Sequence, residues 1–386
     1  MINASLAGVI DAARGAGFGN GPGSRGKILG MRFAIEGFME GRTVDLGDLD
    51  HQELAILKKT PGSALGSCRY KLTDEDLPRI AELLREHNVR YLFYIGGNDT
   101  MDTINRITAW CSDHGWEIRG LGIPKTVDND LYATDHTPGY GSAARYVAAS
   151  VRQAGRLAQD MQRVDRFVVH QTVGRDAGWL AAASALARRH PGDAPHLIYI
   201  PEDPLTPDRV LEDVHRVTDE YGWVSIVVGE GVVWTDGTPV SASQTSDRFN
   251  NVEFGAMGGS SAALSLHQLI HKNTGWRGEF QIPESMPMAA EDRVGPHDRQ
   301  EAWDCGMEAV SLALRGVSRV MVTIERIGND PYRVRYGHAA LSDVAVRARP
   351  MPSDLFSPGD VTPAFLEYAR PLVGSFAPYF SLKGSA

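Results

Sequence analysis

Apolar runs of about six residues, bounded by turn residues, alternate along this chain with longer stretches whose apolar residues recur every three or four positions. The first kind predicts buried strands, the second helices packed on one face. The clearest case is Val89 to Ile95, an apolar run that ends in Gly96-Gly97. Met101, Ile104, Ile107 and Cys111 then fall on one helical face, and Ile118 to Ile123 forms a second apolar run. Strand, helix, strand makes a βαβ unit, so both runs should end at the same edge of a parallel sheet. Ligands of such sheets bind at that edge.

The same pattern extends in both directions. Helices are expected over Ile2 to Arg14, Asp74 to His87 (with Leu77, Ile80, Ala81 and Leu84 on one face), Thr137 to Met161, Trp179 to Arg189, Pro207 to Tyr221 and Glu301 to Arg315. Strands are expected at Val164 to Val173, His196 to Pro201, Val224 to Val228 and Ser318 to Ile327, and Ile28 to Phe38 reads as a strand and the start of a helix. Leu57 to Ser67 reads as a polar loop. Regular alternation of this kind predicts an α/β protein with two sheets. The expected limits are residues 1–140, completed by about 296–345, then 141–295, and a Pro-rich, later aromatic tail over 346–386 that packs on the body or on a partner and ends in Tyr379-Phe380-Ser381.

Composition narrows the function. The 386 residues carry 39 Lys+Arg against 48 Asp+Glu, a formal net charge of -9, which argues against a general nucleic-acid binder. An acidic protein that takes anionic substrates must gather its cations locally. Cys68, Cys111 and Cys305 are odd in number and far apart, without metal-ligand spacing, which suggests a reducing compartment. No leader and no membrane-spanning apolar run is evident, so cytoplasm is the expected location and a membrane partner is not expected.

Candidate chemistry concentrates at the two strand ends. Gly96-Gly97 allows a sharp turn and close backbone approach, and the helix start that follows offers free N–H groups to a phosphate. Thr100 and Thr126 add hydroxyl donors, and Lys125 adds a point charge. Asp128 and Asp130 could divide general-base and metal roles. A phosphate cradle, a cation and a carboxylate to orient a nucleophile are the equipment of phosphoryl transfer. Two other motifs fall short. Gly21-Pro22-Gly23-Ser24-Arg25-Gly26-Lys27 matches a P-loop but is followed by Ile28 rather than Ser or Thr, and a helix precedes it. His267 and His271 lack the glutamate of a zinc-protease helix, Gln268 standing in its place, and read as a surface helix.

Gly96-Gly97-Asn98-Asp99-Thr100 resembles the Gly-Gly-Asp-x-Ser/Thr motif of phosphofructokinases. Pro124-Lys125-Thr126-Val127-Asp128-Asn129-Asp130 is similar to their catalytic loop in its pyrophosphate-dependent form. The resemblance continues at Gly174-Arg175-Asp176-Ala177-Gly178 and reaches about Ile327. It implies two Rossmann-like α/β domains, the first binding the phosphate donor and the second the sugar-phosphate acceptor. The implied activity is phosphoryl transfer from pyrophosphate to the 1-hydroxyl of fructose 6-phosphate with Mg²⁺. An ATP-dependent kinase of the same sugar and a catalytically weak sugar-phosphate-binding subunit are the alternatives.

By this resemblance Asp128 is the base that orients the acceptor hydroxyl, with Thr126, Lys125 and Asp130 beside it. Gly96, Gly97, Asp99, Thr100 and Lys125 bind the donor. The family's magnesium-binding Asp is replaced by Asn98, whose carbonyl can share a metal with Asp99. Gly174 and Arg175 resemble sugar-phosphate contacts, Glu230 the carboxylate that holds sugar hydroxyls, and Arg277 a second sugar-phosphate ligand; Arg293 reads equally well as a surface ion pair. Arg166 matches an arginine that reaches into a neighbour's site, which implies a homo-oligomer with shared sites. Small residues stand in the ATP-using relatives where this chain has Asp99 and Lys125, which points to pyrophosphate. A helix, Ile2 to Arg14, comes first where the family has a strand and a Gly-rich loop, so the first strand looks missing and the natural chain is expected to begin upstream of Met1.

Overall fold

The computed structural model describes residues 1–241, 261–345 and 347–380. It divides into two compact units, one made of Met1–Thr126, Leu131–Gly139 and His297–Arg349, the other of Val127–Asp130, Tyr140–Pro296 and Pro350–Ala386.

The first unit is built on a four-stranded sheet in the order β10-β9-β4-β3. Here β3 is Tyr91–Gly96, β4 Arg119–Pro124, β9 Val320–Asn329 and β10 Tyr332–Ala340. Strands β3 and β4 run parallel from Tyr91 opposite Arg119 to Gly96 opposite Pro124, joined by helix α5 (Asn98–Asp113), as the βαβ pattern predicts. Strand β9 continues the parallel sheet, and β10 folds back antiparallel on it. One face of the sheet packs on α5, α4 (Leu77–Glu86) and α11 (Leu341–Val344) through Met101, Ile104, Ile107, Leu84 and Leu341. The other packs on α1 (Ile2–Gly15) and α10 (Asp298–Leu314) through Val9, Leu121, Ile123, Cys305, Ala309 and Ile324. Alternation along β4 explains its glycines. Leu121 and Ile123 face α10, so Gly120 and Gly122 face α5, where added Cβ atoms would lie 2.0 Å from Thr108 Oγ1 and 2.2 Å from Met101 Sδ. A small hairpin of β1 (Leu29–Met31) and β2 (Thr43–Asp45), with α2 (Ala34–Met39) between them, and helix α3 (His51–Lys59) complete the unit.

The second unit holds a wholly parallel sheet in the order β6-β7-β5-β8. Its strands are β5 (Phe167–Thr172), β6 (Leu197–Tyr199), β7 (Val224–Gly229) and β8 (Gly278–Gln281). Helices α6 (Tyr140–Met161), α7 (Trp179–Ala183), α8 (Pro207–Tyr221) and α9 (Ala262–Thr274) cover it. Every residue of β5 and β7 is buried, as parallel strands covered on both faces require. Beyond the short pair β11 (Phe356–Ser357) and β12 (Asp360–Val361), helix α12 (Pro363–Val373) buries Phe365, Leu372 and Val373. The chain after it is held by α6 and by Arg189: Arg145 and Arg152 of α6 donate to the carbonyls of Val373 and Ser375 and to that of Ala377, and Arg189 donates to that of Phe376. Ser381, at the end of the aromatic tail, lies outside the described residues.

Some boundaries move. Leu57, Lys58 and Lys59 are not loop but the last turn of α3, which starts from a capping box between Asp50 and Glu53. The helix expected over Trp179 to Arg189 is α-helical only to Ala183 and tightens to a 3₁₀ turn over Ser184–Ala187, a common ending ahead of a proline and glycine. Strands β8 and β10 escape a search for apolar runs, because Glu279 and Gln281 in one, and Arg333 and Arg335 in the other, interrupt them. Among the described residues no helix is long and apolar enough to cross a membrane.

Candidate active site

In the first unit the site begins where β3 stops. Gly97 caps α5, and Asn98 and Asp99 form its first turn, where negative groups and free N–H groups are favoured. A Cβ on Gly96 would lie 2.2 Å from Thr100 Oγ1, so only glycine lets the strand end meet the helix this closely. Asn98 Oδ1 is buried and accepts no hydrogen bond; Asp99 is exposed. The end of β4 is clamped to the end of β3 by the Lys125 N–H, which donates to the Gly96 carbonyl at 3.0 Å. Gly96, Gly97, Asn98, Asp99, Thr100, Lys125 and Thr126 are therefore brought together at one edge of one sheet.

Behind Thr126 lies a buried polar cluster. Thr137 Oγ1 donates to the Thr126 carbonyl at 2.9 Å, and Asp298 accepts from the Gly139 N–H at 2.7 Å. His136 is 1% exposed and is held between Asp135 Oδ2 at 2.7 Å and Glu301 Oε2 at 2.8 Å. Tyr332 donates to Glu301 at 2.5 Å and Arg326 to Asp135 at 2.8 Å. Burial by itself would lower the His136 pKa, but the two carboxylates overcome it and hold the imidazole above its usual range. In spite of their burial, Asp135 and Glu301 are held below theirs by His136.

The second unit carries the remaining candidates. Asn129 sits between Asp128 and Asp130 in the left-handed region (φ 59°) and is fully buried; Asn tolerates this conformation better than most residues. Its Nδ2 donates to Tyr368 Oη at 2.8 Å. At the C-terminal edge of the sheet, the Glu230 N–H donates to the Thr172 carbonyl, and the Gly174 N–H donates to Glu230 Oε1 at 3.1 Å. Gly174 needs its left-handed φ of 128°. Gly231 leaves room for the Arg175 carbonyl, which a Cβ would meet at 1.6 Å. Burial raises the Glu230 carboxyl to about 7, and the nearby charges of Asp128 and Glu284 add to this against Gly174 and Arg175. Asp128, Gly174, Arg175 and Glu230 thus form one group.

Arg277 does not join that group. It precedes β8, and Phe167 is opposite Gly278 at the start of the parallel pair. Its carbonyl accepts from the Arg166 N–H at 2.8 Å, and its Nε lies 3.4 Å from Asp165. Arg166 and Arg277 therefore stand side by side at the N-terminal edge, and the six residues of β5, about 20 Å of strand, separate them from the edge that carries Arg175. Arg293 bonds Ser150 and Gln153 on α6 and covers the Tyr146 ring. Sequence reasoning did not reach Tyr368, Glu284 or His136. A histidine flanked by aspartate, Asp135-His136, just after the Asp128–Asp130 loop was the available signal for the last.

In the first unit, a glycine turn at a helix start beside a lysine at the neighbouring strand end is suited to binding phosphate. The chain belongs to the phosphofructokinase family, whose sequence profile matches residues 3–313. A pyrophosphate–fructose 6-phosphate 1-phosphotransferase of Xanthomonas campestris pv. campestris (strain B100) is 34% identical over 98% of this chain and 90% of its own. A sulfofructose kinase of Alkalicoccus urumqiensis is 29% identical over 80% of this chain and 79% of its own. Among solved structures, the pyrophosphate-dependent phosphofructokinase of Nitrosospira multiformis superposes with a TM-score of 0.86 at 32% identity, covering 99% of this chain and 91% of that one.

Proposed function

We propose that this chain transfers a phosphoryl group from pyrophosphate to the 1-hydroxyl of fructose 6-phosphate, giving fructose 1,6-bisphosphate. The observation that carries the donor assignment is that Asp99 and Lys125 lie just beyond the ends of paired strands, Asp99 in the first turn of α5 after β3 and Lys125 directly after β4. Asp99 sets a negative charge where a longer donor would put its α-phosphate, and like charges at close range are costly away from bulk water. Lys125 suits the end of a short, highly charged donor. The N–H groups at the start of α5 and the Thr100 hydroxyl hold phosphate oxygens.

Asn98 Oδ1 and the Asp99 carboxylate would hold Mg²⁺. A buried carbonyl oxygen without a hydrogen-bond partner fits a hard cation that takes oxygen ligands and keeps several waters and phosphate oxygens. When bound, the ion neutralises charge on the transferring phosphoryl group. Asp128 accepts the proton of the acceptor hydroxyl and orients its oxygen. Glu230 holds sugar hydroxyls, and Arg175 pairs with the sugar phosphate through its planar fork.

Arg166 and Arg277 are too far from Arg175 to share one small acceptor with it, so in this reading they complete the acceptor site of a second copy. Phe280, Met286 and Met288, exposed by 42%, 63% and 49%, fit a surface that such a copy covers. Cys68, Cys111 and Cys305 form no disulfide, which supports a cytoplasmic enzyme.

Steady-state turnover with each donor tests the assignment. Activity with pyrophosphate should clearly exceed activity with ATP, and Asp99→Gly combined with Lys125→Gly should move the ratio towards ATP. Efficient turnover with ATP and none with pyrophosphate would overturn it.

A further inference from the structure

Tyr368 lies on α12, beyond the residues that the family profile matches. Its hydroxyl nevertheless accepts a 2.8 Å hydrogen bond from Asn129, the residue between Asp128 and Asp130, at a separation of 239 positions. Asn129 is fully buried and left-handed, so the orientation of its side chain and the path of the backbone on either side are set together. A loop with φ > 0 at a non-glycine position persists only where the surroundings over-determine it. The Tyr368 ring is also fixed. It packs at 5.3 Å from the buried Trp179 ring, which follows the Gly174–Gly178 loop, and at 6.2 Å from Phe365. The Trp179 carbonyl in turn accepts from the Tyr140 hydroxyl at 3.3 Å, where α6 begins. One phenol therefore touches the carboxylate loop through its oxygen and the end of the Arg175 loop through its ring.

We infer that Tyr368 is a positioning residue: through Asn129 it holds the Asp128–Asp130 loop in its working conformation, and through Trp179 it ties that loop to the one carrying Arg175. The catalytic consequence rests on the function proposed above. In this positioning role, losing the Tyr368 hydroxyl misplaces Asp128 and leaves the acceptor-binding groups in place. Misplacements on the order of 1 Å cost up to about 100-fold in rate, whereas contacts to the acceptor by Arg175 and Glu230 persist.

The test is Tyr368→Phe, which keeps the ring and removes the oxygen. With pyrophosphate and fructose 6-phosphate, kcat should fall about 5- to 50-fold, while KM for the acceptor stays within about two-fold. The fall should vanish in an Asn129→Gly background, which allows the same φ but lacks the amide; a multiplicative loss there would mean that Tyr368 does not act through Asn129. Hydrogen exchange of the ligand-free protein reads positioning without reference to activity. Peptides spanning 127–131 should exchange faster in Tyr368→Phe while those of β5 stay unchanged. Unchanged exchange in 127–131, or a kcat within two-fold of the parent, would overturn the inference. Faster exchange in a protein whose parent turns over neither donor would keep the positioning link and remove the proposed reaction instead.

Discussion

The charge of Asp128 adds to the burial that raises the Glu230 carboxyl pKa, and each of the two carboxylates has its own test. Asp128→Asn keeps the shape of the loop and removes the proposed base. Turnover should fall by roughly two to four orders of magnitude, the usual worth of a positioned acid or base, while fructose 6-phosphate binding, measured by calorimetry, changes far less. Near-normal turnover would remove Asp128 from the mechanism. Glu230 is legible through stability. Its folded-state pKa of about 7 exceeds the ordinary 4.5, so between those values the folded chain keeps a proton that the unfolded chain has released. Stability contributed by this group therefore falls as pH rises through that window. The melting temperature of Glu230→Gln minus that of the parent should grow from pH 5 to pH 8. A difference independent of pH would show that the carboxyl is not perturbed.

Helices α1 and α10 approach through glycine on both sides. A Cβ on Gly8 would lie 2.1 Å from the Trp303 carbonyl oxygen, and one on Gly306 2.2 Å from that of Ser5. Backbone cannot yield as a flexible side chain can, so an added methyl has to push the helices apart. Gly306→Ala gains helix propensity, but overpacking should outweigh it and destabilise by about 1–3 kcal/mol. The urea midpoint should drop with an unchanged slope. Gly15→Ala at the end of α1, where a Cβ meets nothing within 4 Å, is the control and should be neutral or stabilising. If both variants unfold at the same midpoint as the parent, the close approach is not what packs these helices. The sequence announced α1 and α10 as helices but not their pairing, because propensity and periodicity describe one helix at a time.

In the whole molecule, Arg166 and Arg277 at one edge of the second sheet and Arg175 at the other call for a second copy if all three bind acceptors. A dimer with shared sites predicts complementation. Arg166→Ala and Arg175→Ala chains, each nearly inactive alone, should regain about a quarter of the parent activity when dissociated together and allowed to reassociate, because half of the dimers are mixed and each mixed dimer holds one intact site. Arg277→Ala should complement Arg175→Ala but not Arg166→Ala. A fully active monomer by light scattering would refute shared sites.

What this sequence determined by itself was local: the βαβ unit around Gly96-Gly97, the strand ends bearing Lys125 and Thr126, and the strand–helix alternation of the second sheet. These follow from periodicity and from glycine's freedom at a turn, both of which act over a few neighbouring residues. The sequence motifs likewise carried the family. Only the tertiary structure decided that Arg277 stands beside Arg166 rather than Arg175, that Glu301 closes on His136, and that Tyr368 reaches Asn129. Those pairings depend on sheet order and on which helix faces meet. Both are properties of the packed chain, in which residues hundreds of positions apart become neighbours because burying apolar surface and satisfying buried polar groups leaves them one shared place.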